Sequence, residues 1–343
     1  MSELPLPPHH DPSRVGEIWK VDYEQRFSDA RNWAREHALQ PATEDSFRTC
    51  LLLVDVQNTF CTPGFELFVG GRSGTGALDD NRRLSAFLYR HLGRISSVVA
   101  TMDTHQAFQI FHASFLVDPS GEPPGPFTLV TAEDVSARRW RLDPRAAGAL
   151  GLTADAAEMR LESYVSALAS GGKYDLTIWP FHAMLGGIGH ALVPAVEEAI
   201  FFHAIARSSQ PAFEIKGMAP LTEHYSALGP EVADEALAET RNDALVARLL
   251  SFDAVVVAGQ AKSHCVAWTV ADLLAGPRAA SAGLASRLYL LDDCTSPVVV
   301  PGAVDYTDEA DAAYARFAEI GAHIVRSAEP LASWPGPLGA ALR

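Results

Sequence analysis

The sequence predicts a three-layer α/β protein built on a mainly parallel sheet of six strands, and three observations carry that expectation. Short apolar runs recur along the 343 residues, several end at an ionisable residue or a glycine, and stretches with helical spacing lie between most of them. Strands buried on both faces read as continuous apolar runs, and their alternation with helices favours parallel pairing.

Residues 1–45 form an extension that opens Pro-rich and polar. It closes on an amphipathic helix over residues 23–39, where Phe27, Ala30, Trp33, Ala34 and Ala38 recur at near-helical intervals. Residues 46–343 are read as one α/β domain. Its strands are expected at 49–54, 95–101, 213–215, 254–258, 288–291 and 323–325, with helices at 81–92, 193–207, 241–250, 263–274 and 308–320. Residues 119–173, rich in Pro, Gly, Ala and charge, break this rhythm. They are read as an insertion whose Ala-rich middle, 144–168, forms helices that lid a site or meet a neighbouring subunit.

Bulk properties narrow the function classes. A formal net charge of −15 repels phosphate backbones and anionic membranes, which argues against nucleic-acid and membrane partners. No apolar run approaches the roughly 20 residues that span a bilayer, and the start MSELPLPPHH lacks a basic segment before an apolar one, so a cytoplasmic protein is expected. The cysteines Cys50, Cys61, Cys265 and Cys294 are widely spaced without a C-x-x-C pair, which points to a reactive thiol among buried ones.

Ligands of parallel α/β sheets bind beyond the carboxyl ends of the strands, so the residues that follow each strand are the candidates. Asp55 follows LLLV and either caps a turn or carries chemistry. Asp103 and His105 alternate in an extended segment and can face the same way. With His182 they make a carboxylate and imidazole set suited to a divalent metal, zinc first, with iron or manganese also possible for such donors. Lys216 ends FEIKG; beside a thiol it would stabilise the thiolate. Cys265, in VVVAGQAKSHCVAW, lies where a buried strand turns into a helix. The N–H groups of such a helix start favour a thiolate nucleophile and can serve as an oxyanion hole, the alternative being a buried structural cysteine.

Together these segments resemble the nicotinamidase and isochorismatase-like cysteine hydrolase superfamily across roughly residues 46–327, the insertion excluded. The resemblance rests on Asp55, Gln57, Asn58, Phe60, Pro63 and Gly64; on Asp103, His105, His112, Ser114 and Phe115; on Trp179, Pro180 and His182; on Lys216 and Gly217; and on Gly259, Ala261, Cys265 and Val266. It implies an isochorismatase-like fold, a triad of Asp55, Lys216 and Cys265, and metal ligands Asp103, His105 and His182. It also implies an oxyanion hole from the N–H groups of Ala261 and Cys265, with a cis peptide between Gln260 and Ala261. Gln57, Phe60 and His264 are expected to line the substrate pocket, and a homo-oligomer is expected.

The implied reaction is hydrolysis of a C–N bond in a small amide, ureido or carbamoyl compound through a cysteine thioester. Isochorismatase-like vinyl-ether hydrolysis and a catalytically silent metabolite-binding relative are the alternatives. The chain departs from nicotinamidases at Thr104, where an aromatic residue is common, at Ala183 and Met184 after the last histidine, and at His264, where tyrosine precedes the nucleophile.

Overall fold

A computed structural model describes residues 3–233, 241–276 and 283–343. Six strands form one parallel sheet: β1 (Thr49–Val54), β2 (Ser97–Asp103), β3 (Ala212–Lys216), β4 (Ala254–Gly259), β5 (Leu288–Leu291) and β6 (His323–Val325). Across the sheet the order is β3-β2-β1-β4-β5-β6. Chain progression therefore reverses direction between β1 and β4, and the crevice outside their carboxyl ends is where doubly wound sheets bind ligands.

The longer helices among the described residues are α1 (Tyr23–Glu36), α2 (Gly76–Arg90), α3 (Ala154–Ser170), α4 (Pro194–Ala206), α5 (Asp243–Leu250), α6 (Ala267–Ala275) and α7 (Thr307–Ile320). Side-chain alternation along β1 divides them between two layers. Leu51 and Leu53 pack into the core that holds Leu84, Phe87 and Leu88 of α2 and Val196 and Ala199 of α4. Cys50, Leu52 and Val54 face the opposite core, with Leu245 and Leu249 of α5, Val270 and Leu273 of α6 and Phe317 of α7. The N-terminal extension is fixed to this body, because Trp33 of α1 meets Phe202 of α4 ring to ring at 6.3 Å. No described helix is long and apolar enough to cross a membrane.

Strand and helix bounds differ from the sequence reading in ways that have causes. β2 runs to Asp103 rather than ending at residue 101, because its last residues pair with β3 in a register that sets Asp103 opposite Lys216. α2 begins at Gly76, five residues ahead of its expected start, since Gly76 and Ala77 are buried although glycine is a poor helix former. The insertion contains more than helices. Short antiparallel pairs, Leu116–Val117 with Arg141–Leu142 and Leu129–Val130 with Leu176–Thr177, tie its ends together around α3.

Several histidines are buried, and burial is the largest cause that keeps them neutral, with nearby arginines adding to it at His91 and His203. It lowers His91 and His203 to about 4 and His264 to about 3, against 6.5 for a free histidine. Between pH 6.5 and 4 the unfolded chain takes up protons at these positions that the folded chain excludes, so stability falls as pH drops through that window. Carboxyls raised by burial, among them Asp80 to about 6 and Glu223 to about 7, act in the opposite sense, but burial lowers more histidines than it raises carboxyls, His9, His112 and His224 included. The urea midpoint should therefore be higher at pH 7 than at pH 5; equal midpoints would show that these histidines gain protons in the folded state.

Candidate active site

Asp55 is the first residue beyond β1, fully buried and in the left-handed region at φ 47°. The β2 residue Thr101 holds it at both ends: Asp55 N–H donates to Thr101 Oγ1 over 3.0 Å, and that hydroxyl donates to Asp55 Oδ1 over 2.5 Å. Lys216 closes β3 and reaches back under the strand ends. Its Nζ lies 3.0 Å from Asp55 Oδ2, 2.9 Å from Asp103 Oδ1, 2.7 Å from the His224 carbonyl and 3.6 Å from Cys265 Sγ. One ammonium thus touches both carboxylates and the thiol.

Two glycines permit this closeness. A Cβ on Gly217, at φ 84°, would sit 2.7 Å from Asp103 Oδ1 and 2.8 Å from His105 Cε1. A Cβ on Gly259, at φ 121°, would fall 2.0 Å from the Val54 carbonyl oxygen. Both conformations are ones side-chain-bearing residues rarely adopt. Beyond Gly259 the Gln260–Ala261 peptide is cis. Its flanks are tied by the Gln260 amide, which donates to Asp80 over 2.9 Å and accepts from Ser296 N–H over 3.2 Å.

Cys265 does not sit in a regular first helical turn. Residues Lys262–Val266 form a wide turn, in which Val266 N–H reaches the Ala261 carbonyl over 3.1 Å, and α6 starts only at Ala267. Such wide turns recur at functional sites. The thiol is also not the preformed thiolate expected from a helix start beside a lysine. Burial pushes it well above an ordinary cysteine, and the pull of Lys216 does not overcome that. Burial likewise raises Asp55, partly offset by Lys216 and reinforced by Asp103. Lys216 moves the other way: burial opposes its charge, yet Asp103, Asp55 and Cys265 hold it well above the usual lysine range.

Asp103, His105 and His182 meet on the far side of Lys216, with one ligand atom from each within 4.8 Å of the others. His105 Nδ1 lies 3.1 Å from the Gly217 carbonyl and His182 Nδ1 lies 2.8 Å from the Pro180 carbonyl. A carbonyl only accepts, so both Nδ1 atoms carry the hydrogen and both Nε2 atoms turn toward Asp103, at 2.8 and 3.7 Å from its Oδ2. Two lone-pair donors and a carboxylate converging on one point require a cation between them, either a proton or a metal ion. The donor set, with each imidazole oriented by a backbone carbonyl, fits a divalent metal with open positions.

A narrow cavity of about 30 Å³ lies against this cluster, lined by Phe60, Asp103, Trp179, His182, Glu223, Tyr225, Ala261, His264 and Cys265 together with Leu67, Val69 and Val298. Phe60 and His264, expected at the substrate pocket, line this cavity. Gln57 does not: its amide is buried and spent on the backbone, donating to the Asp103 and His190 carbonyls and accepting from Asp103 N–H. It fixes the end of β2. Thr104 is buried too and hydrogen-bonds His190 over 2.9 Å, outside the cavity wall.

The sequence reading missed Thr101, Tyr225 and Glu223. Glu223 is buried by Tyr164 of α3, whose hydroxyl accepts Glu223 N–H over 2.9 Å, and burial raises its carboxyl to about 7. Nothing in the local sequence marks that contact, since it joins the insertion to the loop after β3.

No protein-family model matches the chain, and no curated protein matches it in sequence. Solved structures do. The yeast nicotinamidase bound to the inhibitor nicotinaldehyde matches with a TM-score of 0.51 at 17% identity, over 81% of this chain and 99% of that one. A nicotinamidase/pyrazinamidase from Acinetobacter baumanii matches with a TM-score of 0.48 at 20% identity, over 81% and 96% of the two chains. A Pyrococcus horikoshii pyrazinamidase in complex with zinc matches with a TM-score of 0.42 at 17% identity, over 81% and 98%. The chain has the isochorismatase-like α/β fold.

Lys216→Met keeps the length of the side chain and removes the charge, leaving Asp55 and Asp103 buried side by side. Breaking a buried ion pair by removing one partner costs about 3–5 kcal/mol, so urea unfolding of this variant should show a loss of that order. A loss under about 1 kcal/mol, the worth of an exposed pair, would show that the ammonium is not what holds the carboxylates together.

Proposed function

We propose that this protein is a cysteine hydrolase that cleaves the C–N bond of a small amide, with Cys265 as nucleophile, Asp55 as its proton acceptor and Lys216 as the cation between them. The observation that carries the proposal is the single Lys216 ammonium in contact with Asp55, Asp103 and the Cys265 thiol beneath one cavity. Burial raises the Asp55 carboxyl, which makes it a better proton acceptor than an exposed carboxylate, and burial raises the Cys265 thiol, so the proton stays on sulfur until it is taken.

In this reading the Cys265 proton passes to Asp55 as Sγ attacks the amide carbonyl carbon. Lys216 offsets the charge wherever the proton lies. The N–H groups of Ala261 and Cys265 receive the oxyanion, a stabilisation that commonly supplies 10²–10³ in rate per donor. Asp55 then returns the proton to the departing ammonia or amine, leaving a thioester that water hydrolyses. Asp103, His105 and His182 would hold a divalent ion, zinc by preference for such donors, which supplies Lewis-acid polarisation when bound. The presence of a nucleophile with its base favours this chemistry over vinyl-ether hydrolysis, which needs no thiol.

Replacing Cys265 by Ala should lower kcat/KM for ammonia release from a panel of small amides, ureides and carbamates by at least roughly 1,000-fold, with the far-ultraviolet circular dichroism unchanged. Unchanged activity in a folded variant would sink the assignment. The metal reading predicts close to one equivalent of zinc in purified protein and its loss in His182→Ala; stoichiometric metal retained by that variant would place the ion elsewhere.

A further inference from the structure

A second cavity, of about 400 Å³ against about 30 Å³ for the one at Cys265, lies away from the catalytic groups. Four stretches far apart in the chain meet around it: the N-terminal segment at residues 3–4, Leu39 just beyond α1, the turn that ends α2 at residues 90–94, and residues 330–342. The turn at 90–94 leads into β2 from the amino end of the sheet, whereas Asp103 closes that strand at the carboxyl end. The seven residues of β2 put roughly 20 Å between the two.

The charge in this cavity is unusual for a chain of net charge −15. Arg90 and Arg94 line it, and neither guanidinium has an ion pair or hydrogen bond among the described residues. Their neighbours on α2 behave differently: Arg82 pairs with Asp79 at 2.7 Å and Arg83 with Asp80 at 3.0 Å. Arg90 and Arg94 act on one spot, since both add to burial in holding His91 neutral at about 4. His91 also lines the cavity, is 3% exposed, and its Nε2 has no hydrogen-bond partner. The one acid in the lining, Glu3, is exposed.

Two guanidiniums held together without a carboxylate leave positive charge that an anion would balance, and the planar fork of arginine matches the paired oxygens of a carboxylate or phosphate. The rest of the lining is mainly apolar, with Leu4, Leu39, Leu331 and Leu342 among it. Leu4 is pinned as a wall by its N–H, which donates to the Arg90 carbonyl over 2.9 Å. A cavity of this volume with mostly apolar walls and a few convergent polar groups has the form of a small-molecule site.

We infer that this cavity is a second binding site, for a small organic anion whose carboxylate or phosphate head is held by Arg90 and Arg94 and whose apolar body lies against Leu4, Leu39, Leu331 and Leu342. None of the proposed catalytic or metal-binding groups lines it, so the inference stands apart from the amidase reading. Its walls come together only in the folded chain, so the bound anion stabilises the fold.

Calorimetric titration of the full chain tests this with octanoate and octyl phosphate as probes. Octanol supplies the body without the charge, and inorganic phosphate the charge without the body. At least one of the two anionic amphiphiles should bind roughly 10-fold or more tighter than either control and raise the urea midpoint; the tighter of the two fixes the head group. Replacing Arg90 and Arg94 together by Met should weaken that probe by at least roughly 10-fold with the far-ultraviolet circular dichroism unchanged. The single Arg90→Met and Arg94→Met variants serve where the pair fails to fold. Arg90→Lys with Arg94→Lys should recover part of the affinity, and Cys265→Ala should bind as wild type does.

Undiminished affinity in the methionine variants would overturn the inference, as would binding of neither amphiphile or a control that binds as tightly as the amphiphile. Loss of binding in Cys265→Ala would also overturn it, because the probe would then occupy the catalytic cavity.

Discussion

The site depends on one buried cation. Lys216 contributes an ammonium that is almost wholly removed from water and surrounded by two carboxylates, a carbonyl and a thiol. An isolated ammonium in that position would give up its proton rather than its hydration. Here the surrounding anions reverse the sign and hold it charged. Against burial, His105 first and the same cation next hold Asp103 low, so the metal-type cluster and the thiol with its carboxyl are joined through Asp103 and Lys216. Neither is stable as built without the lysine between them.

The sheet explains why these groups can meet. Asp55, Asp103 and Lys216 come from β1, β2 and β3, whose register places Asp103 opposite Lys216, while Cys265 follows β4 on the other side of β1. The reversal of chain direction between β1 and β4 leaves a crevice at their carboxyl ends. The insertion and the segment after it then close over it: Tyr164 of α3 fixes Glu223, and beyond the insertion Tyr174 packs on His264 and donates to the Ser263 carbonyl over 3.3 Å while Trp179 donates to Tyr225 over 3.1 Å. From the stretch expected to form a lid, Tyr164 reaches the cavity wall at Glu223.

Much of this was legible in the sequence because strands buried on both faces leave continuous apolar runs, and chemistry in such sheets follows the strands. Asp55, Lys216 and Cys265 could be singled out on that ground, and the D-x-H spacing placed Asp103 and His105 on one side. What stayed hidden depends on partners distant in the chain. The thiol's protonation follows from burial that a helix-start argument does not contain. Gln57 looks like a pocket residue beside Asp55, yet Asp103 and His190 consume its amide. Glu223 sits in an unremarkable loop and becomes part of the site only because α3 covers it. The end of β2 moved for the same reason, since its pairing with β3 is not written in either strand alone.

The central claim is that catalysis passes through a covalent thioester on Cys265 formed under the control of the Lys216 cation. Partitioning with hydroxylamine tests it most directly, because a thioester is captured by that nucleophile in competition with water. With an amide that is turned over, rising hydroxylamine should convert the acid product into the hydroxamate while both still report the same acyl group, and Cys265→Ala should form neither. Turnover that yields only the acid at every hydroxylamine concentration, or hydroxamate formed equally well by the alanine variant, would contradict the account.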